Sequence, residues 1–178
     1  MVRRAFLALL ARTLQIATAC VVAIPGVRFL SGPRRTALWD RSFTKAVDLD
    51  ALEPGQSVRA IVSGDRWDAY THYPPGPIGG VWLRREPDVD GSPVVRCFQT
   101  ICPHLGCGID WSAGRGEFSC PCHASVFDAD GRVSSGPSPR GIDELEARVT
   151  APDPDGKRWV EVRYQEFRVG IPEKQTVS

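Results

Sequence analysis

The hydropathy pattern divides the chain into an apolar N-terminal run and a body of short alternating stretches. From Thr13 to Leu30 the residues are mostly apolar, interrupted by Gln15, Pro25 and Arg28. A membrane-spanning helix needs about 20 apolar residues. The run is long enough if Arg28 snorkels its charge to the interface. Beyond it, Val58–Val62, Val81–Arg85 and Val94–Thr100 have strand composition. In Arg158–Tyr164, Val160, Val162 and Tyr164 alternate with Trp159, Glu161 and Arg163, the period of a strand with one buried face. Tyr70–Gly80 reads as a Pro/Gly-rich loop, and Glu86–Pro93 carries the turn residues Pro87, Asp88 and Gly91. No internal repeat or low-complexity segment stands out. The pattern predicts an all-β body, a sandwich or small barrel, behind one N-terminal transmembrane helix.

Composition sharpens this picture. The 178 residues are 42% apolar and 24% charged, enough for one folded domain, and 15 prolines with 17 glycines favour turns over long helices. A net charge of +1 gives no basic field for nucleic acid. Arg3-Arg4 just before the apolar run resembles a twin-arginine export signal, a route that carries folded proteins with their metal centres. Residues 1–30 therefore read as signal or retained anchor. Cleavage is the rival reading, and Ala17-Thr18-Ala19-Cys20 forms a weak lipoprotein-like site. Residues 31–42 read as a flexible linker and 171–178 as a tail.

The three histidines are His72, His104 and His123; the six cysteines are Cys20, Cys97, Cys102, Cys107, Cys120 and Cys122. Two boxes collect most of them: Cys102-Pro103-His104-Leu105-Gly106-Cys107 and Cys120-Pro121-Cys122-His123. This grouping favours metal over a pure disulfide scaffold. Two loops that each offer a thiolate and an imidazole can enclose a small metal centre, either structural zinc or iron with sulfide. Exchanging two thiolates for neutral imidazoles removes negative charge and raises a cluster's potential.

The boxes resemble those of the Rieske iron–sulfur family. By that resemblance Cys102 and Cys120 hold one iron of a [2Fe–2S] cluster, and His104 and His123 the other. Cys107 and Cys122 match a disulfide that links the two loops. Ser125 matches a hydroxyl donor to the cluster, and Gly136-Pro137-Ser138-Pro139 matches the proline loop that covers it. The resemblance covers Val94 to Tyr164 well and implies a Rieske domain over 43–170, with its cluster-binding part near 97–140. It departs at Phe127, where the family carries a tyrosine, and at Ala124, where it carries glycine. A missing hydroxyl lowers the potential, a sense that suits menaquinol. The implied role is the redox subunit of a membrane quinol–cytochrome c oxidoreductase, with no turnover by the isolated chain. Its partners would be a b-type cytochrome, a c-type cytochrome, quinol and the bilayer. His123, with His104, would meet the quinol, and the head would lie on the periplasmic side of a bacterial cytoplasmic membrane. The rival role is the small subunit of a periplasmic molybdenum oxidase of the arsenite oxidase type. A ring-hydroxylating oxygenase domain or soluble ferredoxin typically lacks the Cys107 and Cys122 pair.

Other residues carry no chemistry in this reading. Leu105 is expected at an exposed tip in contact with a partner, a plain surface leucine being the alternative; Cys97 is expected inside a strand, and His72 in a loop as a structural or solvated residue. Asp143, Glu144 and Glu146 read as a solvated acidic face.

Overall fold

The computed structural model describes residues 2–31, 38–39, 42–68 and 71–177. Helix α1 (Val2–Ser31) precedes eleven strands: β1 (Leu38–Trp39), β2 (Thr44–Asp48), β3 (Ser57–Asp68), β4 (Thr71–Val89), β5 (Ser92–Gln99), β6 (Asp110–Ser112), β7 (Glu117–Cys120), β8 (Ser125–Phe127), β9 (Val133–Ser135), β10 (Glu144–Val149) and β11 (Trp159–Arg163). At about 1.5 Å per residue α1 is long enough for a hydrocarbon core of about 30 Å. It is the one helix among the described residues that is long and apolar enough to cross a membrane, and it is exposed along its whole length.

The larger sheet has the order β1-β3-β4-β5-β10-β11-β2, with every ladder antiparallel, and curls until β2 meets β3. A second sheet, β6-β7-β8-β9, is inserted between β5 and β10. Side-chain alternation explains how they stack. Val81 and Leu83 of β4 and Cys97 of β5 point into the curled sheet, where they meet Leu49, Val62, Val160 and Val162. Their neighbours Trp82 and Phe98 point the other way and meet Phe118, Phe127, Ile109 and Ile142. One strand pair thus floors two cores, and the Trp82 indole N–H donates to the Ile109 carbonyl at 3.0 Å to fix the upper layer.

Several expectations need correcting. Residues 71–80 are not a loop: β4 runs from Thr71 and pairs with β3 down to Thr71↔Asp68. Pro74, Pro75 and Pro77 are tolerated because β5 joins β4 only from Val81 onward, which leaves this half an open edge. The turn expected across Glu86–Pro93 shrinks to Asp90-Gly91, whose φ values of 51° and 73° suit a tight hairpin. His72 is therefore on a strand, with Nε2 3.4 Å from Asp65. Of the expected linker, residues 32–37, 40 and 41 lie outside the described residues, while Leu38 and Trp39 pair with β3. The acidic face is not simply solvated either. Asp143 is buried against Arg140, Glu144 pairs with Arg96 and Glu146 with Arg163.

Candidate metal centre

The first box leaves the end of β5 as a closed loop. Cys102 N–H donates to the Cys107 carbonyl at 2.7 Å, and Gly106 N–H returns to the Cys102 carbonyl at 3.0 Å. The second box is a hairpin tip, because Cys120 pairs with Ser125 on the last rung between β7 and β8. Its turn ends on Ala124, held at a φ of 53°. The position keeps a left-handed backbone although it lacks the glycine such a backbone favours.

A disulfide between Cys107 and Cys122 joins the two loops across a Cα separation of 6.5 Å. It brings the rings of His104 and His123 together edge to face, with centroids 4.7 Å apart. Behind them Cys102 and Cys120 are 1% and 2% exposed. The sulfurs of Cys107, Cys120 and Cys122 lie within 4.8 Å of one another. Two of these are bonded to each other, so Cys120 alone of the three retains a thiol. The loops thus bring two thiols and two imidazoles to one end of the molecule, as the spacing predicted.

The unpaired groups decide what these side chains can hold. His104 Nδ1 and Ser125 Oγ are buried and have no hydrogen-bond partner. Burial pushes the Cys102 thiol up; the His104 backbone N–H opposes this, and the adjacent Cys120 adds to it. A buried thiol of this kind resists becoming a thiolate unless a cation compensates it. An inward imidazole nitrogen without a proton partner and a hydroxyl with no acceptor complete the set. Soft sulfur, imidazole nitrogen and a donor hydroxyl suit an iron–sulfide group and its sulfides.

The proline loop closes against the second box. A Cβ added at Gly136 would lie 2.5 Å from Ser125 Cα and 2.7 Å from the Ala124 carbonyl oxygen, so the loop backbone rests directly on that turn. Pro137 is exposed above it, and Leu105 is 60% exposed at the tip of the first box. Phe127 is buried in the upper core on the rung opposite Phe118. Cys97 is buried in the lower core, and burial pushes its thiol up, as befits an inert apolar position.

Sequence reasoning missed two supports. Arg140, directly after the proline loop, forks onto Asp143 with bonds of 2.9 and 2.6 Å. Its Nη atoms also donate to the carbonyls of Arg168 and Ile171. The C-terminal segment returns to the first box, where Gly170 N–H donates to the Pro103 carbonyl at 2.8 Å. The readable signal was a cation and a carboxylate three positions apart at the end of a motif loop. The returning backbone contact leaves no side-chain signature.

The description of the Rieske [2Fe-2S] domain family matches residues 48–146. Curated relatives include a cytochrome b6-f complex iron-sulfur subunit of Synechococcus sp. (strain JA-3-3Ab), 41% identical over 68 residues that make up 38% of each chain. Another is the subunit of the same name from Parasynechococcus marenigrum (strain WH8102), 37% identical over 84 residues, 47% of this chain and 44% of that one. The chain thus matches less than half the length of these relatives. Among solved structures it is similar to a plasma membrane Rieske protein from Synechocystis PCC 6803, with 25% identity, 56% of this chain and 84% of that chain covered, and a TM-score of 0.36. It is also similar to a chain of a hyperthermophilic respiratory Complex III, with 20% identity, coverage of 85% and 98%, and a TM-score of 0.44. The match over 48–146 takes in both boxes, the proline loop and the strands that floor them, and with the two buried thiols and paired imidazoles it makes the chain a member of the Rieske [2Fe–2S] domain family, carrying a [2Fe–2S] cluster.

Proposed function

We propose that this protein is the Rieske subunit of a membrane quinol–cytochrome c oxidoreductase, which takes an electron from a quinol and passes it to a c-type cytochrome. In this reading Cys102 and Cys120 hold one iron, and His104 and His123 hold the other. The bound cluster supplies a one-electron acceptor whose potential is lifted by its imidazole ligands, into a family range of roughly −150 to +300 mV.

The chain's own residues do the rest. His104 gives its buried Nδ1 to the metal side, and the other ring nitrogen is left to handle a proton. His123 is exposed at the hairpin tip and offers its free nitrogen to a quinol hydroxyl. Leu105 and Pro137 give the tip an apolar rim that suits a b-type cytochrome's quinol pocket. The Cys107–Cys122 disulfide suits an oxidising compartment and so supports a head on the periplasmic side of a cytoplasmic membrane, with α1 as its anchor. Phe127 withholds a hydroxyl that would raise the potential, a sense that supports a low-potential donor such as menaquinol.

The observation that carries the reading is the disulfide-joined pair of loops presenting two imidazoles at an exposed tip. Mild-detergent purification tests it. Recovery with a b-type cytochrome and a Rieske EPR signal is expected. Recovery with a molybdopterin subunit would instead assign the chain to a periplasmic molybdenum oxidase, and a colourless zinc-loaded protein would remove the redox role altogether.

A further inference from the structure

Pro103 stands between Cys102 and His104, so wherever its carbonyl is held, both flanking side chains are held with it. The Pro103 carbonyl accepts from Gly170 N–H at 2.8 Å. Gly170 sits at a φ of 76°, on a segment that doubles back on itself. Arg168 N–H donates to the Gln175 carbonyl, Val177 N–H donates to that of Glu166, and Phe167 bridges Thr176. Arg140 grips this strap on both sides of Gly170, donating to the Arg168 carbonyl at 2.7 Å and to the Ile171 carbonyl at 2.5 Å. The same guanidinium is forked onto Asp143, and the two side chains are 10% and 4% exposed. Asp143 is in turn fixed to the base sheet, because its carbonyl accepts from Gln99 N–H at 2.9 Å. The Arg140 carbonyl accepts from the Ser138 hydroxyl at 2.8 Å, which ties in the proline loop.

These bonds form one continuous path from the base sheet through Asp143, Arg140 and the strap to Pro103. A planar guanidinium supplies the geometry for it: a fork for the carboxylate and further donors for two carbonyls. Among the described residues, no other hydrogen bond ties the Pro103 carbonyl down. We infer that Arg140 is a positioning residue for the first box, acting through the C-terminal strap to hold Pro103, and with it Cys102 and His104, against the cluster. The inference rests on the assignment of Cys102 and His104 as ligands.

The test uses the full chain with its cluster, in detergent. Two rates are read: bleaching of the oxidised cluster by a chelator, and deuterium exchange at the Gly170 amide. Arg140→Gln should bleach about 10–100-fold faster, the usual cost of losing a support behind a metal ligand, and should lose protection at Gly170. Arg140→Lys keeps the charge without the fork and should fall between. A chain lacking residues 170–178 should bleach as fast as Arg140→Gln, and the two changes together should add nothing, because both break one path. Wild-type bleaching in Arg140→Gln, fast bleaching with Gly170 still protected, or additive effects would each overturn the inference. If Arg140→Gln does not fold, the shortened chain decides: bleaching at the wild-type rate overturns the inference. A wild-type chain without a Rieske spectrum would sink the ligand assignment instead, while exchange at Gly170 in Arg140→Lys would still report whether Arg140 holds the strap.

Discussion

Gly136 offers the sharpest test of how the proline loop meets the second box. Alanine there meets two costs that can be separated. The backbone sits at a φ of 93°, where a Cβ costs about 1–2 kcal/mol. The methyl would also lie 2.5 Å from Ser125 Cα, 2.7 Å from the Ala124 oxygen and 2.9 Å from Ser125 nitrogen. Carbon contacts are comfortable at about 3.5–4.0 Å, and backbone atoms cannot rotate aside. Such overpacking costs about 1–3 kcal/mol, for a total of about 2–5 kcal/mol. Gly156 supplies the control, since its φ is 78° and an added Cβ there has nothing within 4 Å. Gly156→Ala carries the strain alone. The clash is the difference between the variants, and a mid-range value of about 2 kcal/mol corresponds to about 4–8 °C in melting temperature for a chain of this size. Thermal unfolding of both variants, with the EPR spectrum recorded alongside, makes the comparison. Gly136→Ala should melt lower than Gly156→Ala and alter the cluster spectrum, whereas Gly156→Ala should leave the spectrum unchanged. Equal melting temperatures with two native spectra would show that the loop does not rest on the Ala124–Ser125 backbone.

Three further outcomes follow from the same structure. Replacing Cys107 and Cys122 together by serine opens a loop of sequence separation 15, worth about 3 kcal/mol, as read by urea unfolding; the difference should vanish in strong reductant. Burial holds the Cys97 thiol above its unfolded value, so its stabilising share is complete below about pH 8.5 and declines as pH rises toward the folded value. Cys97→Ala should lower stability at pH 7 but flatten the loss between about pH 8.5 and 10, and an unchanged slope in urea midpoints would contradict this. Phe127→Tyr should raise the cluster's midpoint potential in protein-film voltammetry by returning a hydroxyl donor; an unmoved potential would leave Phe127 as packing alone.

The site was far more legible than its supports. Thiol and imidazole spacing is a local property, so Cys102, His104, Cys120 and His123 stand out as candidate ligands in the sequence, and the structure brings their loops together. The alternation of Val160 and Val162 also survived, because β11 has one face in the lower core. Local rules failed where tertiary position overrides them. Three prolines mark residues 71–80 as a loop until the missing neighbour on that side of β4 is known. Asp143 looks like a surface carboxylate until Arg140 folds back to neutralise it. The strap touches Pro103 backbone to backbone, and no residue type announces such a contact.

The second sheet leaves the base at the end of β5 and returns at the start of β10, where Phe98 and Glu144 face each other across a single rung. For the barrel, everything between is topologically a hairpin loop, however much chemistry it holds. Replacing it with a short turn would leave the strand order beneath it intact. The redox half of this molecule is in that sense portable cargo, and the barrel is its chassis.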